Sequence, residues 1–111
     1  RFAQETHHPG RRNALVVRFY PRRGGWHNSP WLGSFRPYDN DWIYHAKLGW
    51  AYAHPDGSGG LWLWFRDHHW MWTRSDTYPY LWKHDLGSWL YLLGTRDGQP
   101  VYYDYATGSV R

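Results

Sequence analysis

The sequence predicts an all-β protein: about four consecutive antiparallel β-hairpins, built as a rolled meander or a hairpin solenoid, behind an extended N-terminal arm. Three observations predict it. Aromatic residues recur as aromatic-x-aromatic triplets, which places two rings on one face of a strand because side chains alternate with period two. The triplets come in pairs, and the second members begin at Trp50, Trp70, Trp89 and Val110, spaced by 20, 19 and 21 residues. Gly, Pro and Asp clusters punctuate every interval, and regular short strands between such breakers argue for an all-β fold.

Taken in order, Trp42-Ile43-Tyr44 is answered by Trp50-Ala51-Tyr52, and Trp62-Leu63-Trp64 by Trp70-Met71-Trp72. Tyr80-Leu81-Trp82 is answered by Trp89-Leu90-Tyr91, and Val101-Tyr102-Tyr103 by Val110. The turns inside these hairpins are expected at 45–49, 66–69, 83–88 and 104–109. Three of them carry Gly49, Gly87 or Gly108 near the end, where a left-handed residue would close the loop. Stronger breakers at 55–60, 75–79 and 96–100 separate one hairpin from the next, with Pro55, Pro79 and Pro100 before or at the entry to a new strand. Leu61, Leu63 and Phe65 fall opposite Trp62 and Trp64, as Leu90 and Leu92 fall opposite Trp89 and Tyr91. A sheet apolar on both faces must be covered on both, by rolling up, by stacking or by a second copy.

Residues 1–38 read differently from the aromatic hairpin domain expected over 39–111. The first 13 are polar, basic and turn-rich, and Ala14-Leu15-Val16-Val17-Arg18-Phe19-Tyr20 is an isolated strand pattern ended by Pro21. Residues 26–38 read as a degenerate first unit with Trp31-Leu32-Gly33-Ser34-Phe35 as its remnant. Seven arginines against Glu5 give residues 1–36 a net charge of +6, while six basic residues against eight Asp leave 37–111 at −2, for a total of +4. Opposed charges on arm and body favour head-to-tail association.

Composition narrows the function. Ten Trp, ten Tyr and four Phe are more rings than a domain of 111 residues can hide, so some must lie at the surface against one another, a ligand or a partner. No cysteine is present, which excludes disulfides, thiolate metal ligands and a cysteine nucleophile. No run approaches the roughly 18 apolar residues of a membrane span. The chain begins at Arg1 rather than Met, as a processed or excerpted chain would. His7-His8, His45, His54, His68-His69 and His84 show no metal-binding spacing, and adjacent His on a strand diverge, so no metal or other cofactor is expected. Asp56, Asp85 and Asp97 stand at turn positions, the serines lack a nucleophile context and no phosphate-cradling loop follows a strand, so an enzyme is not expected. Nucleic-acid binding is disfavoured because positive charge sits in the arm and the rings in a net-negative array.

The ordered aromatics of 31–110 also resemble a known module. Trp31-Leu32-Gly33-Ser34-Phe35, Trp42-Ile43-Tyr44-His45, Leu48-Gly49-Trp50, Leu61-Trp62-Leu63-Trp64, Trp70-Met71-Trp72-Thr73, Tyr78-Pro79-Tyr80-Leu81-Trp82, Ser88-Trp89-Leu90-Tyr91 and Tyr102-Tyr103-Asp104-Tyr105 are similar to an aromatic-rich β-hairpin repeat module at the C-terminal ends of secreted bacterial proteins. That resemblance implies export and an extracellular or cell-surface setting, and carries no settled activity. A looser similarity, on Gly49-Trp50, is to the choline-binding repeats of Gram-positive surface proteins; their tandem Trp-Tyr-Tyr arm and Met are missing here, so no choline pocket transfers.

Two functions fit. In the favoured one the chain is a non-catalytic extracellular structural protein that pairs strands with copies of itself into a filament or coat, with Leu15, Val16, Val17, Phe19 and Tyr20 as the self-association strand. In the other it is a carbohydrate-binding module for cell-wall or extracellular glycans. Its platform would be Trp42, Tyr44, Trp50, Tyr52, Trp62, Trp64, Trp70, Trp72, Trp82, Trp89 and Tyr91. Deleting residues 1–24 would abolish the first activity and leave the second.

Overall fold

A computed structural model of the protein describes residues 25–111. The strand expected at 14–20, with the expected association residues Leu15, Val16, Val17, Phe19 and Tyr20, lies outside the described residues. Ten strands form one antiparallel sheet in sequence order: β1 (His27–Ser29), β2 (Gly33–Pro37), β3 (Trp42–His45), β4 (Gly49–Pro55), β5 (Gly60–Phe65), β6 (His69–Arg74), β7 (Tyr80–Lys83), β8 (Ser88–Arg96), β9 (Gln99–Asp104) and β10 (Ser109–Val110). The first and last strands do not pair, so the meander is open and is not a barrel. Among the described residues the one helical segment is the three-residue turn Asp39–Asp41, and no helix is long and apolar enough to cross a membrane.

Alternation sorts the strands' side chains into two layers. Phe35, Ile43, Ala51, Ala53, Leu61, Leu63, Met71, Leu81, Leu90 and Tyr102 are buried on the inner face, in one continuous core with Leu32, Leu48, Phe65 and Leu92. A single sheet buries one face completely only by coiling over it. The contacts that close the coil join segments far apart in sequence. Tyr78, in the β6–β7 loop, meets Trp31 of the β1–β2 turn with ring centroids 6.1 Å apart, and His45 at 6.3 Å. His68 of the β5–β6 turn meets Tyr102 of β9 edge to face at 5.2 Å.

Five turns lie at one end of the meander and share a local plan. The last strand residue before each turn points inward and is buried: Ser29, His45, Phe65, Lys83 and Asp104. Four residues later comes a backbone with positive φ: Gly33 (95°), Gly49 (83°), His69 (61°), Gly87 (63°) and Gly108 (70°). Only the β5–β6 turn uses a non-glycine there; the His69 ring stacks on Trp64 and its Nδ1 lies 3.4 Å from Asp85.

At the opposite end the breakers depart from the sequence expectation in two places. Residues 96–100 do not merely separate units. Arg96 pairs with Gln99 across Asp97 and Gly98, both at positive φ, which is the geometry of a tight two-residue hairpin turn. Pro55 closes β4 opposite Leu61 instead of opening β5. Pro100 is tolerated inside β9 because β10 pairs only with Tyr103 and Asp104, leaving that stretch of β9 at the edge of the sheet.

Candidate ligand-binding surface

The outer face carries every ring of the expected platform. Register brings Trp42 opposite Tyr52, Tyr52 opposite Trp64 and Trp64 opposite Trp70; a second row runs Trp62, Trp72, Trp82, Trp89. Tyr44 faces Trp50, and Tyr91 stands between Tyr80 and Tyr103. The rings meet mostly edge to face, with centroids 5.8 Å apart for Trp42 and Tyr52, 5.2 Å for Tyr44 and Trp50, 6.3 Å for Trp62 and Trp70, and 5.2 Å for Trp82 and Trp89. This arrangement sets the positive edge of one ring against the negative face of the next. It half-buries ten of the eleven residues; Trp50 is the exception, at 53 % exposure.

The other most exposed strand and turn rings were not in the sequence-derived set. Tyr80 is 41 % and Tyr105 54 % exposed. Tyr80 packs on Tyr91 at 4.7 Å and leans toward Tyr105 at 6.2 Å, which in turn meets Tyr103 at 4.8 Å. The available signal was the register itself, since Tyr80 opens the strand that pairs with Trp89-Leu90-Tyr91. Tyr105 lies in a turn, where its amide donates to Trp89 O at 3.1 Å and so holds it beside β8, two residues along from the Tyr91 that faces Tyr80.

Around these rings lies a recess of about 500 Å³ lined by Tyr80, Trp89, Tyr105, Asp76 and Thr77. Asp76 Oδ1 accepts from Thr77 Oγ1 at 2.9 Å and pairs with the Arg74 guanidinium at 3.1 Å, so one carboxylate oxygen remains outside these contacts. The Tyr105 phenol is pushed above its ordinary pKa by its hydrogen bond with Tyr80, so it stays a neutral donor and acceptor. A second, smaller recess of about 290 Å³ sets Trp62 and Trp70 between His54 and His84. A third, of about 430 Å³, lies between turns from three different hairpins and includes Tyr44 and Trp50 in its wall.

Polar groups at the turns serve structure. The buried His45 ring accepts the Lys47 and Leu48 amides on Nδ1 (3.1 and 3.0 Å), which makes Nε2 the protonated nitrogen, and that donates to Leu32 O at 2.7 Å. Burial lowers its pKa, with Lys47 adding to the effect against the raising hydrogen bond to Leu32. Lys83 Nζ donates to His68 O at 2.9 Å and pairs with Asp85 at 3.0 Å. Buried Asp104 accepts from the Ala106 amide and from Arg111 at 2.8 Å each. Adjacent His68 and His69 diverge, one toward Tyr102 and the other onto Trp64. Among the described residues no three His, Asp or Glu side chains converge as a metal site would require.

Comparison with known proteins finds no family model, no curated protein and no solved structure that matches this chain.

Proposed function

We propose that this chain is a non-catalytic extracellular recognition module that binds carbohydrate on its outer aromatic face. The observation that carries the reading is the recess where exposed Tyr80 and Tyr105 stand with Trp89 beside Asp76 and Thr77. A sugar ring offers an apolar C–H face to an aromatic platform and hydroxyls to a carboxylate and a hydroxyl at its rim, which is the usual economy of a binding site: much apolar surface, few placed polar groups. The self-covered inner face adds weight, because those apolar residues need no second copy to hide them. Similarity of 31–110 to modules of secreted bacterial proteins supports the extracellular setting.

Assembly through strand pairing is the second reading, and one observation favours it. Because β10 pairs only with Tyr103 and Asp104, the outer edge of β9 from Gln99 to Val101 has no strand beside it among the described residues. Segment 14–20 of another copy, whose sequence pattern is that of a strand, is a fitting occupant.

Retention on insoluble polysaccharides (cellulose, chitin, xylan and bacterial cell-wall sacculi) tests the first reading. The full chain is expected to be retained on at least one, and a Tyr80→Ala/Tyr105→Ala double variant to lose retention at least tenfold. A folded chain that passes freely over all four, yet forms polymers abolished by Val17→Pro, would establish the second reading in its place.

A further inference from the structure

The first four strands carry an aromatic cluster that shares no residue with the two outer-face recesses. Across β2, β3 and β4 the register sets Arg36 opposite Tyr44 and Tyr44 opposite Trp50. Trp26 and Trp50 both meet Tyr44 edge to face, at 6.2 and 5.2 Å, and Tyr38 meets Trp50 at 5.1 Å. Half-buried Tyr44 is the hub, and the rings around it keep open surface: Trp26 is 50 %, Tyr38 39 % and Trp50 53 % exposed. Nowhere else in the described sheet do three rings this open stand together. Exposed apolar surface gathered in one patch marks a contact site.

Cations stand among these rings. The Arg36 guanidinium lies over the Tyr38 ring, 5.6 Å from its centroid, and Arg66 lines the same recess as Tyr44 and Trp50. Lys47 stands in the β3–β4 turn that leads to Trp50. All three are exposed, and none of them makes an ion pair among the described residues. Arg74, Lys83 and Arg111, by contrast, each hold an Asp. The exposed carboxylates nearest in sequence are Asp39 and Asp67, which against the three cations leave the surface at +1. Residues 1–24 join the sheet at Gly25, beside Trp26, and their six arginines against Glu5 add +5. A positive field over one end of a molecule concentrates a polyanion there.

We infer that this end of the sheet binds an acidic polysaccharide, with a uronate carboxylate on Arg36 and the C–H face of a pyranose ring on Trp50. A guanidinium offers a carboxylate two parallel N–H donors, and an exposed indole offers the sugar its apolar platform. Tyr38 touches both Arg36 and Trp50, so the two contacts fall within reach of one chain of sugars. Single-stranded nucleic acid shares the charge and fits the rings less well, because it needs ring faces on which successive bases stack. Here the paired rings are inclined by 78°, 45° and 69°, and no two present parallel faces. The site is separate from the Tyr80 recess, whose Asp76 would repel the same carboxylate, so either can stand without the other.

The test is binding of the full chain to polygalacturonate at physiological ionic strength, followed by tryptophan fluorescence and affinity electrophoresis. Carboxyl-reduced polygalacturonate is the uncharged control. Saturable binding of the acidic polymer is expected, at least tenfold tighter than that of the reduced one. Arg36→Gln and Trp50→Ala should each weaken it at least tenfold, whereas Tyr80→Ala/Tyr105→Ala should bind as the parent does. Arg36→Gln changes an exposed side chain with no ion pair to lose among the described residues, which keeps the comparison free of misfolding. The inference is overturned if polygalacturonate does not bind. It is overturned equally if both Arg36→Gln and Trp50→Ala bind as the parent does, which would mark adsorption to the basic residues 1–24 alone. Tighter binding of oligo(dT) than of polygalacturonate would also overturn it and assign the cluster to single-stranded nucleic acid. Failure of the outer-recess reading would show instead as free passage over the neutral polysaccharides with polygalacturonate binding intact.

Discussion

Gly60 begins β5 in a space with no room for a side chain. A Cβ there would overlap the Asp56 carboxylate and the Trp72 indole, whose Nε1 donates to Asp56 Oδ2 at 3.0 Å. The same carboxylate accepts the Ser58 and Gly60 amides at 2.7 and 2.9 Å, so one side chain closes the β4–β5 turn and ties it to a ring on β6. Gly60→Ala is expected to destabilise the fold by about 1–3 kcal/mol, the usual range for overpacking. Urea denaturation measures it, and an unchanged midpoint would mean that the Asp56–Trp72 bond yields without loss. A turn here, with Asp56 in it, is legible in the sequence; the indole, which lies 16 residues away, is not. Gly49, Gly87 and Gly108 are the most legible, because their left-handed backbone has a steric cause that any sequence displays. His69 in the same role is not legible, because the compensating contacts come from Trp64 on β5 and from Asp85 in the β7–β8 turn.

Hairpins in this fold are joined turn to turn as well as strand to strand. His45 reaches the carbonyl of Leu32 and Lys83 that of His68, so an inward polar side chain at the end of one hairpin arm satisfies the backbone of the preceding turn. The pattern gives the fold a defined response to acid. His45 and His68 both titrate below the ordinary histidine value of 6.5 because burial disfavours their charged forms. The unfolded chain therefore takes up protons first, and the stability these groups allow is complete above pH 6.5 and is lost as pH falls below it through their folded pKa values. For His45 the added proton would also face two backbone N–H groups on Nδ1. Asp56, Asp85 and Asp104 are held below 3.8, chiefly by hydrogen bonds to Trp72, Lys83 and Arg111 respectively. Their contribution is present above pH 3.8 and disappears below it. Unfolding free energy measured in urea at pH 7.5, 6, 5, 4 and 3 should thus fall in two stages. His45→Gln should shrink the first stage and leave the second, and an equal fall in the variant and the parent would rule out His45 as a source.

Coiling of the sheet determines what the whole molecule presents. Leu and Trp on opposite faces of each strand made it legible that both faces need cover, and the paired triplets gave the strand order; neither could choose among rolling, stacking and pairing with a copy. That choice depends on twist, which accumulates from strand to strand. One irregularity concentrates it. Across β8 and β9, Leu92 pairs with Tyr102 and Gly94 with Val101, so Leu93 is an extra residue on β8, exposed and unpaired in the ladder. Such a bulge bends its strand and increases the local right-handed twist, and here it aims the β8–β9 turn at turns of two earlier hairpins. The recess that results joins residues near positions 49, 66 and 99, which no local pattern relates. Deleting Leu93 leaves both flanking pairs in register and touches no core residue, so the fold should survive with a loss inside the ordinary range of about 0.5–3 kcal/mol. The recess should lose its third wall, because Gln99 and Pro100 would swing away, while polysaccharide retention through Tyr80 and Tyr105 should persist. Circular dichroism checks the fold, and NMR shifts of the residues lining the recess check its third wall. Unchanged shifts at His68 and Tyr102 in the deletion variant would show that the hairpin tip reaches its place by the coil of the other strands alone.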